Sequence, residues 1–332
     1  MTTGQGIMRQ IANHRETVLV AVLLALFVGF AVSTPGFFDA FNLLERTRYW
    51  VPIGLIAVPM TFIIATAGID LSVASILALS SMVMGLLFRD AGWPIELAAI
   101  GAVGVGMAAG AVNGGVSSYL RVPPLVVSLA TMTLFRGIAM GLSRARPVGG
   151  FPDGFQWLGQ GALLRVPIGR DLVPIPFSFV VMLVVFAVGW VVMRKTWMGR
   201  FTELIGENQI AARFAGIDVD LVKFCIYTIA GALCGVAAIF HTAFYATAKA
   251  DTAMGMELEI IACVVVGGTR ISGGTGSISG TLLGLFIIGI LQFGLEMAGV
   301  RSRNIIVVVG LVLILTVVVN EWLGKRALGE QT

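Results

Sequence analysis

Nine runs of this chain carry almost no charge: 17–33, 50–67, 71–88, 94–119, 124–142, 174–193, 221–243, 278–296 and 304–322. Each is close to the ~20 residues a helix needs to cross the hydrocarbon core of a bilayer. Backbone exposed to lipid must satisfy its hydrogen bonds internally, and apolar runs of this length do so as helices. A tenth run, "LEIIACVVVGGT" (258–269), is too short for a simple span. It reads as a buried or re-entrant helix that Gly267 and Gly268 bring to an end. The expected class is therefore an all-α, polytopic integral membrane protein of about ten transmembrane helices. An even number places both termini on one side, and no linker or composition shift divides residues 1–332 into more than one domain. The first run follows a basic N-terminus but is followed by "VSTPGFF" and no A-x-A-like site, so it is expected to be a retained span.

Composition agrees: 57% of residues are hydrophobic, 12% are charged and the mean hydropathy is +0.95. The net charge of +4 and pI near 9.2 do not point to nucleic acid, because the basic residues are scattered between the apolar runs. Cys225, Cys234 and Cys263 lie in apolar runs without CxxC spacing and read as buried thiols. His14 and His241 are too far apart to found a metal centre. Forty-two glycines fit closely packed membrane helices, and the GxxxG spacings at 106–110, 110–114, 231–235 and 280–284 suit that use.

Charge sets the orientation only through its densest cluster. With the termini inside, eleven Lys/Arg fall on the inner side (9, 15, 121, 194, 195, 200, 213, 223, 270, 325, 326) and ten outside (46, 48, 89, 144, 146, 165, 170, 249, 301, 303). "RKTWMGR" at 194–200, with Arg213 and Lys223 close behind, reads as a cytoplasmic loop. The longest loop, about 143–173, then faces the other way, with aromatics, Gly and Pro suited to a structured turn at an interface.

One stretch does not fit a chain built for lipid. "GRFTELIGENQIAARFAGI" (199–217) is helix-like and loosely amphipathic, with Glu203, Glu207, Asn208, Gln209 and Arg213 among Phe201, Leu204, Ile205 and Ile210. By physics alone it either rests on the headgroups or docks on a soluble partner.

Five blocks in order, "TPGFFDAFNLL" (34–44), "AGIDLSVASILALS" (67–80), "VPPLVVSLATMTLFRG" (122–137), "MGRFTELIGENQIAARFAGI" (198–217) and "ELEIIACVVVGGTRISGGTGSISGTLLG" (257–284), carry a resemblance. The chain resembles, from about 34 to 322, the permease subunits of bacterial ABC importers for ribose, related sugars, rhamnose and autoinducer-2. The resemblance implies that 199–217 is the cytoplasmic coupling helix region, received by a groove on an ABC ATPase subunit. Gly199, Arg200, Gly206, Asn208, Ala211, Ala212, Gly216 and Ile217 match that family's pattern, and Asn208 and Arg213 would supply polar contacts at the rim. Glu207 departs from it, since the family often has glycine there.

The resemblance also implies a periplasmic solute-binding protein, a second permease copy or paralogue, a location in the bacterial inner membrane, and a sugar-like solute. "ARPVGGFPDGF" and "LEMAGV" lean toward the rhamnose or autoinducer-2 branch. The chain has no G-x-x-x-x-G-K-[ST], and "GGTRISGGTGS" (267–277) is not a phosphate loop, so ATP and Mg are expected on the partner ATPase subunit and no cofactor on this chain.

In "ATAGIDLSVAS" Gly68 is expected to end one helix, and Asp70 or Ser72 to cap the next. Polar candidates for a translocation pathway are Asn113, Ser128, Thr131, Thr133, Arg136, Glu257, Glu259 and Gln292. Arg136 either lines that path or snorkels or pairs with a carboxylate. Glu257 and Glu259 lie two apart, so at most one would face a pore. His241 reads as a lone satisfied polar group. The chain is expected not to be an enzyme, since it has neither G-x-S-x-G nor H-E-x-x-H. The alternative is an ion-coupled secondary transporter acting without an ATPase, which would favour buried carboxylates that are scarce here.

Overall fold

The computed structural model describes residues 15–144, 146–168 and 171–327. Its elements are α1 (Arg15–Ser33), α2 (Ala40–Ala65), α3 (Val73–Arg89), α4 (Ile95–Ser118), α5 (Pro124–Ser143), α6 (Asp153–Gln160), β1 (Ala162–Ile168), β2 (Asp171–Pro176), α7 (Phe177–Lys195), α8 (Trp197–Glu207), α9 (Gln209–Phe214), α10 (Val219–Tyr245), α11 (Met256–Val266), α12 (Ile278–Met297) and α13 (Ser302–Ala327). Each of the ten apolar runs coincides with a helix, but among the described residues seven of those helices (α1, α2, α4, α5, α7, α10 and α12) are long and apolar enough to cross a membrane, and α3 and part of α13 are shorter apolar helices. The two ends of the chain, 1–14 and 328–332, lie outside the described residues, and so does His14.

The all-helical expectation needs one correction. In the long loop, β1 and β2 pair antiparallel with Val166 opposite Val173 and Arg165 opposite Pro174. "ALLRVPI" and "DLVPIP" place Val and Ile among prolines, which the edge strands of a two-stranded ribbon tolerate. Two strands bury little by themselves, and this ribbon leans on α2.

The least apolar of the seven long helices, α2, is the central one, with 94% of its apolar window buried by its neighbours, whereas α1 is peripheral with 0%. Lipid offers no penalty for exposing apolar surface, so the most hydrophobic helices can line the outside. Asp39 starts α2 by accepting the Asn42 amide at 2.9 Å, ten residues before the apolar run at 50. Glu45, Arg46, Arg48 and Tyr49 therefore lie inside the helix and not in the loop before it.

Glycine spacing decides how closely the other helices meet. A Cβ added at Gly110 would stand 2.2 Å from the Tyr227 carbonyl oxygen, and one at Gly106 would stand 2.3 Å from that of Gly231. Gly231 and Gly235 meet α4 as tightly in return, at 2.1 Å from the Gly106 oxygen and 2.6 Å from the Val103 Cα. The 280–284 pair does the same for α12 on α11, where added Cβ atoms would meet the Gly267 and Cys263 carbonyl oxygens at 2.0 and 2.1 Å. The expected use of GxxxG thus holds on both helix pairs. The short run at 258–269 is the 11-residue helix α11. It ends as expected at Gly267 and Gly268, the latter at φ +96, with Gly268 and Thr269 amides returning to the Val265 and Val264 carbonyls.

Candidate functional site

The 199–217 segment folds as two short helices broken at Asn208. Asn208 has extended backbone, and its Oδ1 accepts the Ile210 and Ala211 amides at 3.0 Å each, so its side chain caps α9. The helix then closes on Gly216 at φ +83, with the Gly216 and Ile217 amides bonded to the Arg213 and Ala212 carbonyls. Ala212 and Ile217 are buried and face the bundle. On the other side Ile210 is 68% exposed and Phe214 89% exposed, a bare apolar ridge at the surface.

Arg213 donates to both carboxylate oxygens of Asp220 at 2.8 and 2.5 Å, and this hydrogen-bonded pairing raises its pKa above the ordinary guanidinium value. Lys223 reaches Gln209 Oε1 at 3.1 Å. Both bonds hold α9 against the start of α10.

The polar role expected of Asn208 at a rim is thus taken up inside the chain. The glycines differ in the same way. A Cβ at Gly199 would lie 1.9 Å from the Met193 carbonyl oxygen, and one at Gly206 would lie 1.8 Å from that of Ala65 and 2.4 Å from the Gly274 amide nitrogen. Their smallness serves contact with this chain's own backbone. Arg200 and Ala211 are exposed on α8 and α9.

Gly206 marks a junction of three segments. Gly274, in the loop between α11 and α12, donates its amide to the Ala65 carbonyl at the end of α2 at 3.0 Å, and a Cβ on Gly273 would touch the Gly206 oxygen at 2.9 Å. α8 therefore packs directly against the end of α2 and the α11–α12 loop.

Just beyond lies a buried polar network. The α2 terminus closes with Ala67, not Gly68, in the left-handed region at φ +59, which costs a non-glycine residue about 1 kcal/mol. Gly68 is small for a different reason: a Cβ there would stand 2.7 Å from the Tyr227 hydroxyl.

Asp70, 1% exposed, accepts the Ser72 amide at 2.8 Å and the Ser72 hydroxyl at 2.6 Å. Asn113 Nδ2 donates to Ser72 Oγ at 2.7 Å and to Asp70 Oδ2 at 3.4 Å. Asp70 therefore folds the turn before α3 and links it to α4. Ser72 occupies the N-cap position, but its side chain makes no capping bond, which corrects the expectation that one of the two caps the helix.

The pathway candidates do not converge. Asn113 belongs to the Asp70 network, and Ser128 Oγ lies nearby, 3.3 Å from the Ile69 carbonyl oxygen and 3.2 Å from that of Leu125. Thr131 and Thr133 bond to carbonyls of their own helix. Arg136 donates through Nη1 to the Ala250 and Thr252 carbonyls at 2.8 and 2.7 Å, so it straps the loop between α10 and α11. His241 sits beneath the same loop, 3.2 Å from Thr252 Oγ1.

Gln292 donates to Glu259 at 3.1 Å near the far end of the bundle, and Glu257, two residues earlier on α11, is half-buried. Two groups sit with these that the sequence reading passes over, Arg46 and Tyr49. The signal was there in Asp39, whose capping position starts the helix early enough to carry both into the bundle.

The chain matches the family described as "Branched-chain amino acid transport system / permease component" over residues 42–317. It is similar to the autoinducer 2 import system permease protein LsrD of Escherichia coli (strain K12), 32% identical over 328 residues that cover 94% of this chain and 96% of that protein. It is also similar to the ribose import permease protein RbsC of Bacillus subtilis (strain 168), 37% identical over 301 residues and 90% of each chain. No solved structure shows a significant match.

Proposed function

Because the chain belongs to the branched-chain amino acid transport system permease component family, we propose that it is the membrane-spanning subunit of a bacterial ABC importer for a monosaccharide or sugar-like solute. In this reading it lies in the inner membrane with both termini cytoplasmic. It works with a second permease copy or paralogue, takes solute from a periplasmic binding protein, and binds no nucleotide itself. The printed names of two relatives, one for autoinducer 2 and one for ribose, support the solute class.

The single observation that supports ATPase coupling is the 199–217 unit: a helix pair, the second capped by Asn208, bearing the exposed Phe214 and Ile210 and fastened by Gly206 to the ends of two other segments. A ridge of this kind fits a groove on a soluble partner. Force applied there reaches α2 and the α11–α12 loop without passing through a flexible linker, and switches the bundle between two packed states.

The test is uptake into proteoliposomes. D-ribose or autoinducer 2 should enter only when the partner ATPase, MgATP and the binding protein are supplied. Uptake by this chain alone, dependent on a proton or sodium gradient, would establish the secondary-transporter alternative instead. Phe214→Glu should abolish ATP-dependent uptake while leaving thermal unfolding of the spans unchanged, because the side chain touches little of its own chain. Normal transport by that variant would remove α9 from the coupling role.

A further inference from the structure

α2 has 26 residues, so at ~1.5 Å each its two ends are about 39 Å apart. Its last turn meets Gly206 and Gly274, and its second turn carries a different collection of side chains at the opposite end of the bundle. Arg46 pairs with Glu296 of α12, and its guanidinium lies 4.6 Å from the Tyr49 ring centre and 5.5 Å from that of Phe293. Tyr49 meets Phe244 and Tyr245 at the end of α10, with centroids 4.9 and 6.4 Å apart. One turn before Glu296, Gln292 joins Glu259 of α11, and both Glu257 and Arg46 lie within electrostatic reach of that carboxylate. Four helices thus contribute to one aromatic and charged cluster.

A guanidinium and two carboxylates gather here and the site is half open: Tyr49 is 42% and Tyr245 51% exposed. Arg46 Nε is itself buried and without a partner among the described residues. An open wall of aromatic faces with a few fixed polar groups is the usual lining of a small-molecule site. C–H groups of a sugar ring would pack on the exposed parts of the tyrosines, while its hydroxyls would accept from Arg46 and Gln292 and donate to Glu259 and Glu296. Arg46 against Glu259 and Glu296 leaves about −1 when both are ionised, with Glu257 facing Arg136 instead, which disfavours an anion or the carboxylate end of an amino acid.

We infer that this cluster is a binding site for a neutral, polyhydroxylated solute, at the end of the bundle where solute is received. The inference rests on the permease reading for its direction of travel, but not for its chemistry. Binding here must be weak, since a tight site would hold the solute in place.

Saturation-transfer difference NMR suits such affinities, with the full chain in nanodiscs and D-ribose, D-xylose, L-rhamnose or L-leucine present at about 10 mM, well above a millimolar Kd. At least one aldose should receive saturation on its ring C–H protons, and leucine should receive less. Tyr49→Ala and Gln292→Leu should each lose most of that signal, with Arg301→Ala, an exposed change at the same end, retaining it. Thermal unfolding of each variant distinguishes loss of the site from loss of the fold, and Gln292→Leu keeps the test alive if Tyr49→Ala unfolds. Absence of saturation on every aldose, preference for leucine, or a signal indifferent to both substitutions in folded protein would overturn the assignment. No ATPase takes part, so a negative result leaves the importer reading standing, whereas ATP-independent uptake defeats that reading and leaves this site intact.

Discussion

Asp70 shows how much one side chain can organise at membrane depth. Its carboxylate holds the Ser72 amide and hydroxyl, and Asn113 ties that pair to α4. Removing it leaves buried donors without an acceptor, a loss of about 1–3 kcal/mol. Asp70→Ala should therefore lower the midpoint of thermal unfolding in detergent. Asp70→Asn, which keeps an acceptor oxygen toward Ser72, should lower it less. Equal effects from the two would show that the hydrogen bonds are not what the residue contributes. The sequence presents Asp70 and Ser72 as capping candidates, and the residue types are right for a tight turn. The bond to Asn113 is not legible there, because 43 residues separate the partners and only the packing of α4 on the turn brings them together.

Between elements, glycine sets the distances. At Gly110 an added side chain has nowhere to go, since the Tyr227 carbonyl oxygen and the Gly231 backbone already fill the space. Gly110→Leu should destabilise the bundle by about 1–3 kcal/mol or more as α4 and α10 are forced apart. On α5, Gly137 has nothing within 4 Å, and Gly137→Ala should be neutral or raise helix stability by up to ~1 kcal/mol. Comparing their unfolding temperatures in detergent tests the distinction.

A similar argument singles out Arg136. Its two bonds to the Ala250 and Thr252 carbonyls help hold the loop between α10 and α11, together with the Val148–Ala248 bridge and the contact of His241 with Thr252. Arg136→Ala should raise amide hydrogen exchange across 246–255 while leaving α5 protected, and unchanged exchange would show that the other contacts suffice. Spacing revealed the GxxxG pairs as adhesive but not which helix each one meets. Likewise, an arginine in an apolar run is open to lining a path, snorkelling or pairing with a carboxylate, and its partners are instead two loop carbonyls 114 and 116 residues away.

At the scale of the whole molecule, the two ends of α2 do different things: one meets the 199–217 unit and the other carries the Arg46 cluster. Coupling between them would run along one continuous helix that carries Pro52 and Pro59 in its interior, where a missing backbone hydrogen bond lets it bend. Gly206→Ala should therefore disturb more than docking, because its new methyl meets the Ala65 carbonyl. The expected result is lower thermal stability together with lost ATP-dependent uptake, whereas Phe214→Glu loses uptake alone. If Gly206→Ala melted like the parent chain, the junction would not be as tight as its geometry requires.

The sequence by itself determined the class of molecule, the place of nearly every helix, the early end of α11 and the oddity of 199–217. All of these follow from local hydropathy and from the backbone preferences of glycine, proline and asparagine, which act over a few residues. Only the tertiary structure decided that the least apolar long helix is the central one, that Gly199 and Gly206 are small for the sake of their own chain, that Asn208 caps instead of reaching out, and that Arg46, Tyr49, Glu259 and Gln292 share one site. Those are matters of which surfaces meet across hundreds of residues, and a bilayer leaves them to shape and hydrogen bonding, since hydrophobicity cannot tell one buried face from one that lies against lipid.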